Sequence, residues 1–243
     1  MQYWKKYSKE ELAKKIDTSL KRNVDFSNDI SLGYPASKLD GNVFYDNAPF
    51  LKDAPLLRAY VANPNHIGCH TLGESEHAFS GTHELEKEVI NVLAVDFFNC
   101  EPDNFDGYIA TGGTEANIQA IWVYRNHYVN NENANFDEIT IVSSEDTHYS
   151  IPKGANLLGL NHIIVPVDFE TRMIQREVLF DLIKAAKEQG KKHFIVISNM
   201  ATTMFGSVDD PSLFADVMEE LNVNFKIHID AAFGGFIYPF SKG

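Results

Sequence analysis

Short apolar runs alternate with helical segments along the second half of this chain. The runs predict strands at residues 107–111, 138–143, 162–167, 193–198 and 225–229. The clearest helices between them are predicted at residues 114–128, 176–189 and 211–221. Apolar strands flanked by helices are typical of a parallel sheet covered on both faces. The pattern therefore predicts an α/β fold with a largely parallel sheet.

The N-terminal part of the chain has a different character. Ser8 and Glu11 have the spacing of a capping box and predict a helix over residues 8–22. Residues 23–80 are rich in Asn, Pro, Gly and Asp, which indicates an extended arm, and helical periodicity begins at Thr82. We therefore expect an N-terminal helix and arm over residues 1–60 and a larger domain over residues 61–243.

Composition and charge limit the classes of function. The chain has 243 residues, of which 44% are hydrophobic, and a formal net charge of −13. An acidic chain without a basic cluster argues against nucleic acid as a partner. No apolar run approaches the roughly 20 residues of a membrane-spanning helix, so no membrane partner is expected. With only Cys69 and Cys100 available, we expect a reducing, cytoplasmic location.

A glycine-rich turn lies where the first strand of this half is predicted to meet a helix. Gly112, Gly113 and Thr114 would place unpaired N–H groups and the positive end of a helix dipole together. Such a turn can bind a phosphate, and Thr114 adds a hydroxyl donor. A plain strand-to-helix turn explains the same residues, so this motif leaves both interpretations open.

Two further residues are predicted at the carboxyl edge of the sheet, where open α/β sheets bind ligands. Asp230 ends an apolar strand and precedes two small residues, Ala231 and Ala232, which would let a flat ring lie close to the backbone. An aspartate there can pair with a protonated ring nitrogen, or can cap a turn or bind a metal. His148 follows another strand and can contact a ligand or make an ordinary polar contact.

These residues belong to an ordered set of motifs that resembles the group II pyridoxal-phosphate-dependent decarboxylases. The motifs are YIATGGTEANIQA at 108–120, THYS at 147–150, ATT at 201–203 and HIDAAFGGF at 228–236. With GTHELE at 81–86, the set is most similar to the archaeal-type tyrosine/aspartate decarboxylases. The resemblance implies a fold type I large domain, and it implies decarboxylation of an L-amino acid of the aspartate, glutamate, or aromatic/histidine type.

The same resemblance implies roles for the matching residues. Catalytic roles fall to His148, which would stack on the pyridine ring, and to Asp230, which would pair with the ring nitrogen. The cofactor-binding set also contains Gly112, Gly113, Thr114, Thr203, His228 and Ala232. In this set Gly113 and Thr114 would hold the phosphate, and Ala232 would pack on the other ring face. A homodimer is implied, with the loop over residues 66–80 facing the substrate carboxylates.

A zinc site is an alternative for that loop. His66, Cys69, His70 and His77 provide four potential ligands, but their spacing matches no common structural zinc pattern. We therefore predict no metal.

A lysine that would carry the cofactor is the missing member of the set. In relatives it follows the aspartate segment by a few tens of residues, whereas only Lys242 follows Asp230 here, in the wrong context. Lys153 lies beside the ring-stacking histidine in sequence and is not assigned this role. Two hypotheses follow: the chain is the front part of a decarboxylase without its small domain, inactive alone, or it is a non-catalytic cofactor-binding or subunit-pairing fragment. Another fold type I lyase or an aminotransferase is a further alternative.

Overall fold

The computed structural model describes residues 6–24, 29–30, 49–54, 73–75 and 77–241. The chain divides into two compact units, Met1–Ile109 and Ala110–Gly243. Most of the predicted arm lies outside the described residues, as does the domain boundary predicted near residue 60. Both of these therefore stay predictions. Residues 66–72 of the loop predicted over residues 66–80 also lie outside the described residues, so the role of this loop stays a prediction.

A capping box begins the first helix, as the sequence predicts. Helix α1 spans Lys9–Leu20. The Ser8 hydroxyl accepts a hydrogen bond from the Glu11 N–H at 3.1 Å, and the Glu11 carboxylate accepts one from the Ser8 N–H at 2.8 Å. These bonds satisfy backbone donors that the first helical turn leaves unpaired. The helix predicted over residues 8–22 is confirmed, with its last turn ending two residues earlier.

The second helix of this unit packs closely against α1. Helix α2 spans Ser80–Asn91 and continues as a π-helical segment, Val92–Phe97, which confirms the helix predicted from Thr82. A Cβ atom at Gly81 would lie 1.6 Å from the Ser19 carbonyl oxygen, so only glycine permits this approach. The Asn23 side-chain oxygen accepts hydrogen bonds from the N–H groups of Gly81 and Thr82. Asn23 thereby caps α2 from outside the helix.

The strand predicted at residues 107–111 is wrong, because this segment forms no strand in the structure. A strand requires a neighbour that pairs with its backbone groups, and here side chains bind them instead. The Ile109 N–H donates to the Glu86 carboxylate at 2.6 Å, and the Thr111 N–H donates to the Glu115 carboxylate at 3.1 Å. Apolar composition alone did not reveal this difference.

The second unit contains a parallel sheet. Its strands are β1 Ile139–Ser144, β2 Asn161–Val165, β3 His193–Asn199 and β4 Asn224–Asp230. They lie in the order β2-β1-β3-β4, and each pair of neighbours is parallel. The remaining predicted strands and the predicted α/β fold are confirmed. Three residues predicted in strands lie outside them: Glu138 precedes β1, and Pro166 and Val167 follow β2. Val167 makes an isolated antiparallel bridge to Ile174.

Helices precede, connect and follow these strands. They are α3 Gly113–Glu132, α4 Ser150–Leu158, α5 Arg176–Glu188, α6 Pro211–Glu220 and the short α7 Tyr238–Ser241. The three predicted helices are confirmed, and the Asp210 carboxylate caps α6 by accepting from the Ser212 N–H at 2.9 Å. In the described part of the chain, no helix has the length and apolar character needed to cross a membrane.

Two apolar cores cover the two faces of the sheet. Successive residues of a strand point to opposite faces, so β3 contributes Ile195 and Ile197 to one core and Phe194 and Val196 to the other. Helices α3 and α4 cover the first face, and α5 and α6 cover the second. All four β3 side chains are fully buried, and each such burial contributes about 1.5–3 kcal/mol. This rigid sheet fixes the positions of the residues that follow its strands.

Candidate active site

A cleft opens at the carboxyl edge of the sheet. The chain runs outward from β1 to β2 and then returns to β3 and β4, so its direction of progress reverses between β1 and β3. Ligands bind at such reversal points because the loops leave a crevice between them. The cleft has a volume of about 320 Å³. Its lining residues are Gly113, Thr114, Asn117, His148, Tyr149, Asn199, Ala201, Thr202, Thr203, Asp230, Ala232 and Phe233.

The N-terminus of α3 forms one wall of this cleft. Gly112 is the N-cap residue and has no side chain to satisfy the N–H groups of the first turn. The helix has 20 residues, so its aligned peptide dipoles place partial positive charge at this end. Gly113 and Thr114 both line the cleft. Backbone donors, the dipole and the Thr114 hydroxyl together can bind a phosphate.

Close packing fixes this helix end against the turn that follows β4. A Cβ atom at Gly113 would lie 3.0 Å from the Ala232 Cβ, which is tighter than ordinary van der Waals contact. The Ala232 N–H donates to the Asp230 carboxylate at 3.2 Å. Small residues at both positions therefore bring the anion-binding helix end and the Asp230 carboxylate into one cleft.

His148 enters the cleft from the loop after β1. Its Nδ1 atom lies 2.8 Å from the Ser150 hydroxyl and 3.3 Å from the Ser150 N–H. Its ring lies 4.1 Å from the Tyr149 ring, centroid to centroid. Contacts on both the edge and the face hold the imidazole in one orientation. An imidazole held in this way can pack on a flat aromatic ligand.

Asp230 is the last residue of β4 and places a carboxylate in the cleft. One carboxylate oxygen accepts from the Ala232 N–H, and the other accepts from the Asn117 side-chain amide at 2.8 Å. Each bond occupies part of the acceptor capacity of one oxygen and leaves lone pairs for a ligand. A protonated ring nitrogen is a suitable partner for such a carboxylate.

His228 lies behind this carboxylate. Its Nε2 atom lies 2.7 Å from the Asn117 side-chain oxygen. Burial lowers the pKa of His228, and the nearby Asp230 carboxylate opposes this effect only in part. The histidine is therefore neutral near pH 7 and serves as a hydrogen-bond donor to Asn117.

The structure brings most of the predicted site residues to this cleft. Gly113, Thr114, His148, Thr203, Asp230 and Ala232 all line it. Two others do not: Gly112 precedes the first helical residue, and His228 reaches the site through Asn117. The roles of these residues toward a cofactor stay predictions. Three of the zinc candidates, His66, Cys69 and His70, lie outside the described residues. Lys242, the lysine after Asp230, also lies outside them.

Several residues that bind one another around the cleft were not predicted. Asn117 and Ser150 join Asp230 to His148, and Asn117 lies one helical turn after Gly113, a spacing that could have indicated it. Asn199 donates from its side-chain amide to the buried Asp209 carboxylate at 2.7 Å. Burial raises the pKa of Asp209. This pair supports the end of β3 beneath the cleft.

No lysine lines the cleft within the described part of the chain. Lys153 is not among the lining residues, and its Nζ atom lies 6.0 Å from the centroid of the Tyr149 ring. That Lys153 does not carry the cofactor stays a prediction.

The residues of the cleft fit pyridoxal phosphate in three respects. A helix N-terminus can hold the phosphate, a carboxylate can pair with the ring nitrogen, and an imidazole can pack on the ring. The volume of about 320 Å³ lies at the lower end of the range of small-molecule sites, as expected for a compact cofactor.

Comparisons with known proteins agree with this geometry. The pyridoxal-dependent decarboxylase conserved domain matches residues 65–243. Tryptophan decarboxylase of Clostridium sporogenes is 52% identical over 239 residues, which cover 98% of this chain and 57% of that protein. A probable L-tyrosine/L-aspartate decarboxylase of Methanosphaerula palustris is 31% identical over 162 residues, covering 67% of this chain and 40% of the relative. The chain thus spans less than two thirds of the length of either relative.

A solved structure is similar in fold. It is the glutamate decarboxylase domain of a diaminobutyrate-pyruvate transaminase and L-2,4-diaminobutyrate decarboxylase from Vibrio parahaemolyticus. The TM-score is 0.59 at 20% identity, and the match covers 96% of this chain and 59% of the other. This likeness confirms the predicted fold type I large domain, and the matched domain confirms the predicted cofactor, pyridoxal phosphate. The conserved-domain match covers most of the length of this chain, so the chain belongs to the pyridoxal-dependent decarboxylase family.

Proposed function

We propose that this chain forms the cofactor-binding part of a decarboxylase that acts on an aromatic L-amino acid, with tryptophan as the first candidate. The observation that carries the proposal is the Asp230 carboxylate, held by Asn117 in a cleft that also contains the open end of α3. The cleft thus contains both a carboxylate that can pair with the ring nitrogen and a helix end that can hold the phosphate. Pyridoxal chemistry requires both.

In the proposed reaction, the residues of this chain bind and orient the cofactor. Gly113 and Thr114 would hold the phosphate, and His148 and Ala232 would pack on the two faces of the ring. Asp230 would keep a proton on the ring nitrogen, and Thr203, in the loop after β3, would lie near the ring. When bound, pyridoxal phosphate supplies a cationic ring that withdraws the electron pair left by departing carbon dioxide. The side chains keep this ring in one orientation, so that the scissile bond is presented consistently.

The substrate class rests on the identity to the tryptophan decarboxylase, which extends over 98% of this chain. The tyrosine/aspartate relative is similar over a shorter region and at 31% identity. We therefore place an aromatic amino acid ahead of aspartate, glutamate and histidine.

We also propose a cytoplasmic homodimer. Support for a dimer comes from large apolar side chains that the second unit exposes, including Phe205 at 60%, Phe233 at 58% and Phe236 at 68%. Exposed apolar side chains are typical of protein contacts where they lie together in one patch. Light scattering should give twice the chain mass of 27.4 kDa, and a monomer at micromolar concentration contradicts the dimer.

Two assays test the main proposal. In the first, the chain is titrated with pyridoxine 5′-phosphate, which has the ring and phosphate of the cofactor without its aldehyde and so needs no lysine. We expect saturable binding, and an absence of binding contradicts the proposal. In the second, tryptophan, tyrosine, aspartate and histidine are assayed for carbon dioxide release. The assay uses the chain alone and a fusion that adds the C-terminal part of the Clostridium sporogenes relative.

A non-catalytic cofactor-binding module is the second candidate. The cleft residues alone fit cofactor binding, which both functions require. The same assays separate the two functions. Binding of pyridoxine 5′-phosphate with no carbon dioxide from either form supports the module, whereas tryptophan-dependent release from the fusion supports the decarboxylase. Release of ammonia or amino transfer instead indicates another fold type I activity.

A further inference from the structure

Asn117 is a buried polar residue that contacts three other polar side chains of the site. It lies in the second turn of α3 and is 2% exposed. Its side-chain nitrogen lies 2.8 Å from the Asp230 carboxylate and 2.9 Å from the Ser150 hydroxyl. Its side-chain oxygen lies 2.7 Å from Nε2 of His228. Both amide protons and the amide oxygen are therefore used.

The chemistry of these partners fixes the direction of each bond. A carboxylate only accepts, so the amide nitrogen must face Asp230 and the amide oxygen must face His228. His228 then carries its proton on Nε2, because the amide oxygen has no proton to donate. This assignment agrees with the neutral state that burial gives to His228.

The bond directions continue from Asn117 to His148. The Ser150 hydroxyl accepts one amide proton from Asn117, so its own proton is available for Nδ1 of His148, 2.8 Å away. The Ser150 N–H points at the same ring atom at 3.3 Å. His148 Nδ1 is thus an acceptor, and the proton of the neutral ring lies on Nε2.

We propose that Asn117 is a positioning residue that orients the Asp230 carboxylate and, through Ser150, the His148 ring at the same time. One amide on a rigid helix thereby sets both the partner of the ring nitrogen and the group that packs on the ring face. This inference rests on the proposed function, since it assigns these orientations to binding of the pyridine ring. Gly113 and Thr114 form the phosphate end of the site, whereas the Asn117 side chain makes its hydrogen bonds to Ser150, Asp230 and His228.

The test compares binding of the whole ligand with binding of its phosphate end. Pyridoxine 5′-phosphate and inorganic phosphate are titrated against the wild-type chain and four variants. Asn117→Asp keeps the shape and loses both donors, and Asn117→Leu removes all polar contacts. Ser150→Ala cuts the link to His148 alone. Asn130→Asp is the matched control, because it makes the same charge change on an exposed position of the same helix.

We expect both Asn117 variants to bind pyridoxine 5′-phosphate on the order of 10- to 100-fold more weakly, since a hydrogen bond to a charged group is lost. Ser150→Ala should lose less, roughly 3- to 10-fold, as expected for a neutral bond. Inorganic phosphate should bind the uncharged variants Asn117→Leu and Ser150→Ala, and the control Asn130→Asp, within about twofold of wild type, which a general loss of structure would not allow. Unchanged pyridoxine 5′-phosphate affinity in Asn117→Leu, or a parallel loss for both ligands, overturns the proposal.

A second measurement needs no ligand. The ¹⁵N chemical shifts of the histidine rings report which ring nitrogen carries the proton and which accepts a hydrogen bond. In the wild-type chain we expect a protonated Nε2 on His228 and an accepting Nδ1 on His148, and we expect the His148 Nδ1 signal to shift in both Ser150→Ala and Asn117→Leu. If that signal stays in place in both variants, the positioning role is wrong. If the wild-type chain fails to bind pyridoxine 5′-phosphate, the proposed function fails, and the ring shifts still decide the role of Asn117.

Discussion

The two edges of the parallel sheet carry the same kinds of side chain but differ in how these are arranged. At the carboxyl edge, Asn117, His228 and Asp230 bind one another. At the amino edge, Asn224 and His193 bind Glu132, the last residue of α3. Helix α3 therefore contributes one residue near each of its ends to a group made of a histidine, an asparagine and a carboxylate, with one such group at each edge of the sheet.

The two groups differ in how deeply they are buried and in whether they face a cleft. Asn117 is 2% exposed, and its partner Asp230 faces a cleft beside the positive end of α3. The Glu132 side chain is 29% exposed and lies at the negative end of the same helix, where the dipole disfavours a carboxylate. Composition alone is therefore a weak guide to a site, whereas the direction of the helix and an adjoining cleft are informative.

The largest expected effect is a loss of ligand affinity at the carboxyl edge, and it is tested by removing one carboxylate charge at each edge in turn. Asp230→Asn keeps the side-chain shape and removes the partner of a protonated ring nitrogen, so affinity for pyridoxine 5′-phosphate should fall on the order of 100-fold. Glu132→Gln makes the same chemical change at the amino edge and should alter affinity by less than about twofold. Calorimetric titration measures both. Equal losses in the two variants would remove the proposed difference between the edges.

A smaller effect should appear in the pH dependence of stability. Burial lowers the pKa of His228 in the folded chain below its ordinary value of about 6.5. The unfolded chain therefore binds a proton first as the pH falls, and the free energy of unfolding decreases from about pH 6.5 down to the lowered pKa. The slope contributed by one group is at most about 1.4 kcal/mol per pH unit.

Replacing this histidine isolates its contribution. His228→Asn should show a shallower loss of stability between pH 6.5 and 5.5 in urea unfolding than the wild-type chain. His162 also has a pKa lowered by burial and remains in both proteins, so it cancels in the comparison. Identical slopes in the two proteins would mean that His228 is protonated equally in the folded and unfolded states.

The smallest effect belongs to an ion pair at the amino edge. The Lys192 ammonium, together with the Asn135 N–H, lowers the pKa of Glu138 to about 2. The stability from this pair is fully present above the ordinary pKa of about 4.5 and is lost as the pH falls toward 2. Glu138→Gln should therefore lose less stability than wild type between pH 5 and pH 2.5. A larger acid-induced loss in the variant contradicts this.

The sequence predicts the sheet well because each strand is specified locally. The apolar run at residues 194–197 is long enough for a strand and too short for a helix, and it lies between helical patterns. The segment at residues 107–111 was also predicted to be a strand, yet it forms none, and two of its N–H groups donate to Glu86 and Glu115 instead of to a neighbouring strand. Whether a run becomes a strand depends on a partner that is distant in sequence.

The site shows the same limit. Motif resemblance was sufficient to indicate Gly113, His148 and Asp230 as residues of one cleft, since all three lie within the motifs that resemble the family. Asn117 and Ser150 were not predicted, because their importance depends on contacts that cross 113 and 33 positions of the chain. Both residues lie within the quoted motifs, but the sequence does not show which side chains they contact.

The contact between Gly113 and Ala232 has a consequence for ligand selection. Gly113 lies at the expected phosphate end and Ala232 lies two residues after the expected ring-nitrogen partner, and the space between them does not admit a side chain at Gly113. The bond from Asn117 to Asp230 joins the same helix and strand a second time. Two contacts thus limit the change in distance between the two parts of the site. We therefore expect selection of ligands by length as well as by charge, with weaker binding of a phosphate carried one bond farther from its ring.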